Sequence, residues 1–494
     1  MTGLLDPATA AVVVRGAAVG LPVLAVVVQC ALRPPGPRTL AAAITATAWA
    51  ALLLLLLNVA APGLGWWTFH ATGAVWLGVP TDLWLGWSLL WGAVPALALA
   101  SPAQASLSAP PAQASLSAGH SPLRPPGEGR MSSTQRGGGG RGGVVLVGAG
   151  LVWIDLALMP LGEPVVVLGE AWLVGEAVGV ATALVPALLL ARWTLRGTHV
   201  VARAWGQAVW AGGLLLVVPV AALAPEPRWP TALTSLGLQL TLLLCLPGLA
   251  AMRELADVGC GTPLPYDPPA RLVTSGPYAY LRNPMQATIA AAYATLALTF
   301  GEPALLVGTL IAIVYSAGLG EWHEGRQLRQ AFGAPYLAYR AAVRPWLPRR
   351  RPAPVAPVAT LWVAGDCEQC RGVAAWFGRR SPVRLDLRPA ADHPEILYRV
   401  TYEAPGVRAQ GIAAIARALG HVHLGWALAG WALGLPGVRH FAQLCTDAFG
   451  ADPRPSRPET CPTAPTDAVS TTCQTPRSLG GPERLTREPV TPDI

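Results

Sequence analysis

Two short stretches carry residues whose types and spacing suit chemistry. In "AGDCEQC", Cys367 and Cys370 stand three positions apart, after the apolar run "VATLWVA" and before "RGVAAWFGRR". That order reads strand, turn, helix, with the pair at a helix start, where the helix dipole favours a thiolate. The spacing is that of a redox pair. Half of a zinc site is the other use of two such thiols, but His421, His423 and Cys445 match no compact zinc pattern, so no metal is expected. The second stretch is "GPYAYLRNPMQAT", residues 276–288. Arg282 and Asn283 precede Pro284, which suits the first turn of a helix, so free backbone N–H groups lie beside a guanidinium. Such an end can hold an anionic group. An interfacial anchor of arginine and tyrosine is the simpler use of the same residues.

The elements that position these residues are mostly membrane spans. Of 494 residues, 52% are hydrophobic and 13% charged, and mean hydropathy is +0.43. The fold class expected is mainly α, a polytopic helical membrane protein of about nine spans, with a small C-terminal α/β domain of thioredoxin-like type. The spans run 9–32, 39–61, 81–100, 144–161, 171–191, 204–223, 232–250, 285–300 and 304–320. All 35 basic residues are arginine, and they gather in alternate loops and in the tail after 320. The positive-inside rule then places the N-terminus outside and the C-terminal domain in the cytoplasm. Alanine, arginine and proline usage suggests a bacterial chain, hence the inner membrane. Loop arginines account for the net charge of +8 without nucleic acid as a partner.

The chain divides at composition shifts. Three N-terminal spans occupy 1–100, and 101–143 repeats "PAQASLSA" before "GGGGRGG", the composition of a flexible cytoplasmic linker. Six spans fill 144–350, an α/β domain follows over 357–450, and 451–494 reads as a disordered tail. "GIAAIARALG" and "GWALAGWALGLPG" read as helices with an apolar face turned to the membrane. Asp82, Asp155 and Glu176 fall in or near spans, where a buried unpaired carboxylate is costly; headgroup-level placement or mutual pairing is expected.

Across 271–348, "GPYxYxRNPM", an apolar hairpin and "ExxxLxxxFGxxYxxYxxxVRxWxP" together resemble the isoprenylcysteine carboxyl methyltransferases and phospholipid methyltransferases. The resemblance implies S-adenosylmethionine as methyl donor and a lipid or lipid-linked acceptor. It implies that Arg282 meets a donor carboxylate, that Asn283 and Pro284 shape the pocket, and that Glu324 takes a ribose or amino group. Tyr278, Tyr336 and Tyr339 would face the sulfonium or the acceptor, with Arg344 assisting. The pattern departs at Gln286, Thr288 and Gly325, which drop one aromatic and one carboxylate. The same membrane fold resembles NADPH-dependent sterol reductases, and an inactive anchor for the redox domain is the third alternative. Residues 357–450, with "GDCEQCRGVAAWF" near the front and "LPG" near the back, resemble the DCC family of thiol-disulfide oxidoreductases, with Ala364 where that family carries an aspartate. There Cys367 would attack a thiol partner and Cys370 would resolve the mixed disulfide.

The arginine alternation yields a test. Protease added to sealed right-side-out vesicles is expected to spare both 101–143 and everything after 320. Cleavage inside 101–143 from outside inverts the topology.

Overall fold

Apolar runs must satisfy their own backbone hydrogen bonds in lipid, and here they do so as helices. The computed structural model describes residues 6–70, 73–100, 139–163, 165–224, 226–365 and 367–449, with 453, 455 and 456. Helix α1 spans Pro7–Leu32; Asp6 caps it, its carboxylate accepting from the Thr9 N–H at 3.0 Å. Then come α2 (Pro37–Ala60), α3 (Thr81–Trp91), α4 (Ala93–Leu99), α5 (Gly139–Leu158), α6 (Trp172–Gly179), α7 (Val185–Arg196), α8 (Val200–Gly212), α9 (Val218–Leu223) and α10 (Thr231–Asp257). The matched hairpin is α11 (Pro284–Phe300) and α12 (Leu306–Tyr315), and α13 (Glu321–Ala342) follows. Single π-turns at Val180–Leu184, Gly213–Val217 and Ser316–Gly320 join α6 to α7, α8 to α9 and α12 to α13.

Among the described residues, eight helical runs are long and apolar enough to cross a membrane, which agrees with a polytopic membrane protein. The ninth expected span is α11, whose 17 residues rise only about 26 Å against a hydrocarbon core of about 30 Å. Helix α5 also takes in Gly139–Gly143, which the glycine-rich composition assigns to the linker; residues 101–138 lie outside the described residues. The tail too lies outside them, except at its start, where the Ser456 N–H donates to the Leu397 carbonyl at 2.8 Å. That contact ties the first tail residues to the preceding domain.

Loops expected to share a side of the membrane do meet. Strand β1 (Trp67–Phe69) pairs antiparallel with β4 (Val166–Leu168), Trp67 opposite Leu168, while β2 (Val75–Trp76) and β3 (Val79–Pro80) form a local ribbon. Arg228 reaches Glu302 at 3.2 Å and the Gly301 carbonyl at 2.7 Å, joining two more loops of that set. At the other end, buried Arg203 binds Asp267 at 2.6 Å.

Helices α10 and α11 pack closely, and the reason is side-chain size. A Cβ on Gly248 would stand 2.8 Å from Thr288 Cγ2, and one on Gly237 only 2.1 Å from Thr299 Oγ1. Small residues let the backbones approach, as at membrane helix interfaces generally. The departure at Thr288 thus has its complement in Gly248 on the facing helix.

The C-terminal domain carries β5 (Ala359–Val363), α14 (Glu368–Gly378), β6 (Leu385–Pro389), β7 (Thr401–Ala404), β8 (Val407–Gln410), α15 (Ile412–Leu419), α16 (Leu424–Leu433) and α17 (Pro436–Ala448). Its sheet runs β6-β5-β7-β8, with β5 and β6 parallel and the other neighbours antiparallel. Leu361, Phe377, Ala414 and Ala418 are at its core, between sheet and helices.

This domain docks on the membrane part through buried groups. Tyr280 donates to the Gly420 carbonyl at 2.9 Å and meets Trp431 edge-on, with ring centroids 5.7 Å apart. Arg417 on α15 forks between Glu254 at 2.9 Å and Asp257 at 2.8 Å, both on α10. The apolar faces of α15 and α16 are therefore spent on the sheet, on α10 and on the Tyr280 turn rather than on lipid. Removing Arg417 leaves Glu254 buried without its cation, at a cost of about 3–5 kcal/mol. Arg417→Ala is expected to lower the thermal midpoint in detergent and to speed proteolysis between 349 and 358, whereas Arg408→Ala, which loses only exposed pairs, changes little. Equal midpoints for the two variants overturn this account of the docking.

Candidate functional site

The site is built where α11 begins. Gly276 takes φ +58°, with Glu254 packed beneath it, and Gly276–Ala279 then makes one 3-10 turn that buries Tyr278 and Tyr280. Ser275 donates its hydroxyl to the Glu254 carboxylate, so the carboxylate that holds Arg417 also holds this turn. The Ala353 N–H donates to the Ala279 carbonyl at 2.8 Å and the Arg349 N–H to the Tyr280 carbonyl at 3.0 Å, which clamps the turn from the following segment. Pro284 opens α11, where its missing N–H costs nothing.

Arg282 is held at both backbone and side chain. Its N–H donates to the Arg344 carbonyl at 2.8 Å, and its guanidinium lies 3.6 Å from Glu321 and 3.5 Å from the Arg340 carbonyl. Its Nε is buried and has no acceptor among the described residues. Glu321 also pairs with Arg340 at 2.5 Å. The in-chain partner of Arg282 is thus Glu321, which the sequence reading did not single out. Glu324 lies one turn further along α13, half-buried near Tyr278: the Tyr278 phenol is pushed up first by burial, then by Tyr339, Glu324 and Glu254. Asn283 donates to the Ser316 hydroxyl at 3.3 Å, in the π-turn that leads directly into Glu321. That extra residue in the helical turn sets which acidic side chain of α13 meets Arg282.

The three tyrosines do converge. Tyr278, Tyr336 and Tyr339 are buried together with Ala251, Leu255 and Val343, and Tyr339 donates to the Tyr278 carbonyl at 3.1 Å. Gly333, at φ +54° and ψ −127°, breaks the helical path of α13 just before Tyr336, so the chain turns back over α10 with both tyrosines inward. A Cβ on Gly325 would lie 3.3 Å from Glu321 Oε1 and 3.7 Å from the Tyr336 hydroxyl. The position where the resemblance expects a second carboxylate is therefore at the tyrosine cluster. Arg344 is placed differently from expectation: its side chain is exposed, and its contribution is the carbonyl that receives the Arg282 N–H.

The cysteine pair is where the motif puts it. Cys367 caps α14, and its Sγ accepts from the Cys370 N–H at 3.4 Å. Cys370 faces the domain core. Asp366 lies outside the described residues. Among those residues, no cluster of His, Cys, Asp and Glu has the makings of a metal site.

Comparison with known proteins bears on the first site alone. No curated protein and no solved structure matches the chain. The family model for phospholipid methyltransferases matches residues 234–334, a stretch that takes in α10, the Arg282 turn, α11, α12 and Glu321 to Gly333. The membrane part is accordingly similar to phospholipid methyltransferases, and the match stops short of the C-terminal domain.

Proposed function

We propose that the chain is an integral-membrane methyltransferase that takes S-adenosylmethionine at the Arg282 turn and transfers its methyl group to an amphipathic or lipid-borne acceptor. The observation that carries this is the buried Arg282 Nε without an acceptor, at the head of α11 and inside the stretch similar to phospholipid methyltransferases. A carboxylate of the donor suits that N–H, since charge-assisted bonds to guanidinium are strong and directional. When bound, the sulfonium supplies an activated methyl group that needs an in-line nucleophile and little acid-base help.

The chain's own residues then have positioning roles. Glu321, itself paired with Arg340, holds the guanidinium in place from one side. Asn283, tied to Ser316, fixes the first turn of α11. Tyr278, Tyr336 and Tyr339 form a wall that excludes water and presents ring faces suited to a cation. Glu324 is at hand for a polar hydroxyl or amine. Acceptors enter sideways from the bilayer and the polar donor from the opposite, arginine-rich end. The NADPH-linked reductase and the inactive anchor are the competing readings. Arg282→Ala is expected to weaken S-adenosylmethionine binding to purified protein about 10- to 100-fold, the range of one charge-assisted hydrogen bond. Binding that ignores the substitution, or NADPH binding in its place, overturns the assignment.

For the C-terminal domain we infer a thioredoxin-like thiol-disulfide module. The strand order, the helix after the first strand and the Cys367 cap support it. Cys367 is the attacking thiol in this reading and Cys370 the resolving one. Under oxidising glutathione the pair is expected to form a disulfide that Cys370→Ser abolishes, with Cys367 alkylating faster than a free cysteine peptide when reduced. No disulfide at any poise removes the redox role.

A further inference from the structure

A second polar site lies away from the Arg282 turn, inside the N-terminal helices. Asp155 on α5 is 1% exposed and Glu176 on α6 is 7% exposed. The two carboxyls are close neighbours. The Trp87 indole N–H donates to Asp155 Oδ1 at 2.6 Å, and Oδ2 has no donor. Beside them is a cavity of about 40 Å³, walled by Glu176, Asn58, Trp67, Trp87 and Trp91 among apolar side chains. Asn58 is turned to Trp67, whose N–H it accepts at 2.9 Å, and the Trp91 N–H has no acceptor.

Two buried carboxyls without a cation are costly, and none of the described residues lining the cavity is basic. Asp82, the other acidic residue of these helices, already has Arg15. The compensating charge must come from a proton or from a bound cation. A hard divalent ion asks for six or more oxygens, which two carboxyls and an occupied amide do not provide. Indole faces favour a different guest, because their quadrupole attracts diffuse organic cations. The space is sufficient for roughly three water-sized groups, about the size of an ammonium head with one or two carbons. The π-turn that begins at Val180, four residues after Glu176, is the kind of helix irregularity found at functional positions.

We propose that Glu176 and the tryptophans lining the cavity, one of them held by Asp155, bind an alkylammonium cation, either free or as the amine head of a lipid. The site is separate from the Arg282 turn and stands whether or not that turn binds a methyl donor.

The test uses the full chain in nanodiscs and saturation-transfer NMR with ethylammonium, with ethanol and potassium as controls. Ethylammonium is expected to receive saturation and ethanol none, and potassium is expected not to compete. Glu176→Gln and Asp155→Asn, which keep shape and hydrogen-bonding capacity, are expected to weaken binding at least tenfold, while Arg282→Ala retains it. Nanodiscs of phosphatidylglycerol and of phosphatidylethanolamine then separate the sources. Competition by the amine lipid assigns the head group, and equal binding in both assigns a free amine. Ethanol signals equal to those of ethylammonium, or unchanged ethylammonium binding in a monodisperse Glu176→Gln protein, overturn the proposal and leave a proton shared between two carboxyls.

Discussion

A charged group carried into or against the membrane helices must bring a counter-charge, and pairings that meet this demand hold the distant parts of the chain together. Arg15 is held by Asp82, Arg203 by Asp267, Arg282 by Glu321, and Arg417 by Glu254 and Asp257. Each pairing joins elements remote in sequence, the last across 163 positions. Removing either member leaves a charge largely withdrawn from water, so these contacts specify arrangement more than they add net stability. Asp155 and Glu176 are different because their partner is another acid.

The same demand links the Arg282 turn to the domain that carries the cysteines. Glu254 receives both the Ser275 hydroxyl, at the foot of the Arg282 turn, and Arg417, in the domain that carries the cysteines. Tyr280, two residues before Arg282, is buried against Gly420 and Trp431 of that domain. Displacing the C-terminal domain would therefore uncover part of the turn that positions Arg282. Any conformational consequence of disulfide formation at Cys367 has a physical route to the membrane site, through the core of that domain to α15 and Glu254.

How much of this was legible in the sequence depends on how local each feature is. The helices follow from hydropathy, the start of α11 from Pro284, and the helix cap from Cys367, all of which are decided within a few residues. Tyr278, Tyr336 and Tyr339, which the family resemblance alone singles out, are buried together. Glu321 was not legible, because a π-turn at Ser316–Gly320 changes which side of α13 faces Arg282, and no residue there announces an extra position in the helix. The exposure of the Arg344 side chain was hidden likewise, since its contribution comes from the carbonyl. The pairing of β1 with β4 and of Arg417 with Glu254 spans about a hundred residues or more and leaves no local pattern. Thr288 looked like a loss until Gly248 was found opposite it.

That last exchange bears on what the departures mean. Close packing of α10 on α11 needs one small residue at each crossing, and it matters little which helix supplies it. With Gly248 on α10, Thr288 fits on α11 without widening the interface. Gly325 is a different case. Its Cα lies beside Glu321 and the Tyr336 hydroxyl, where a carboxylate would crowd the very group that holds Arg282. With glycine there, Glu321 is left to serve Arg282 and Arg340 together, and the negative charge of the site moves one helical turn back along α13. Glu321 is the carboxylate of α13 that lies within reach of Arg282.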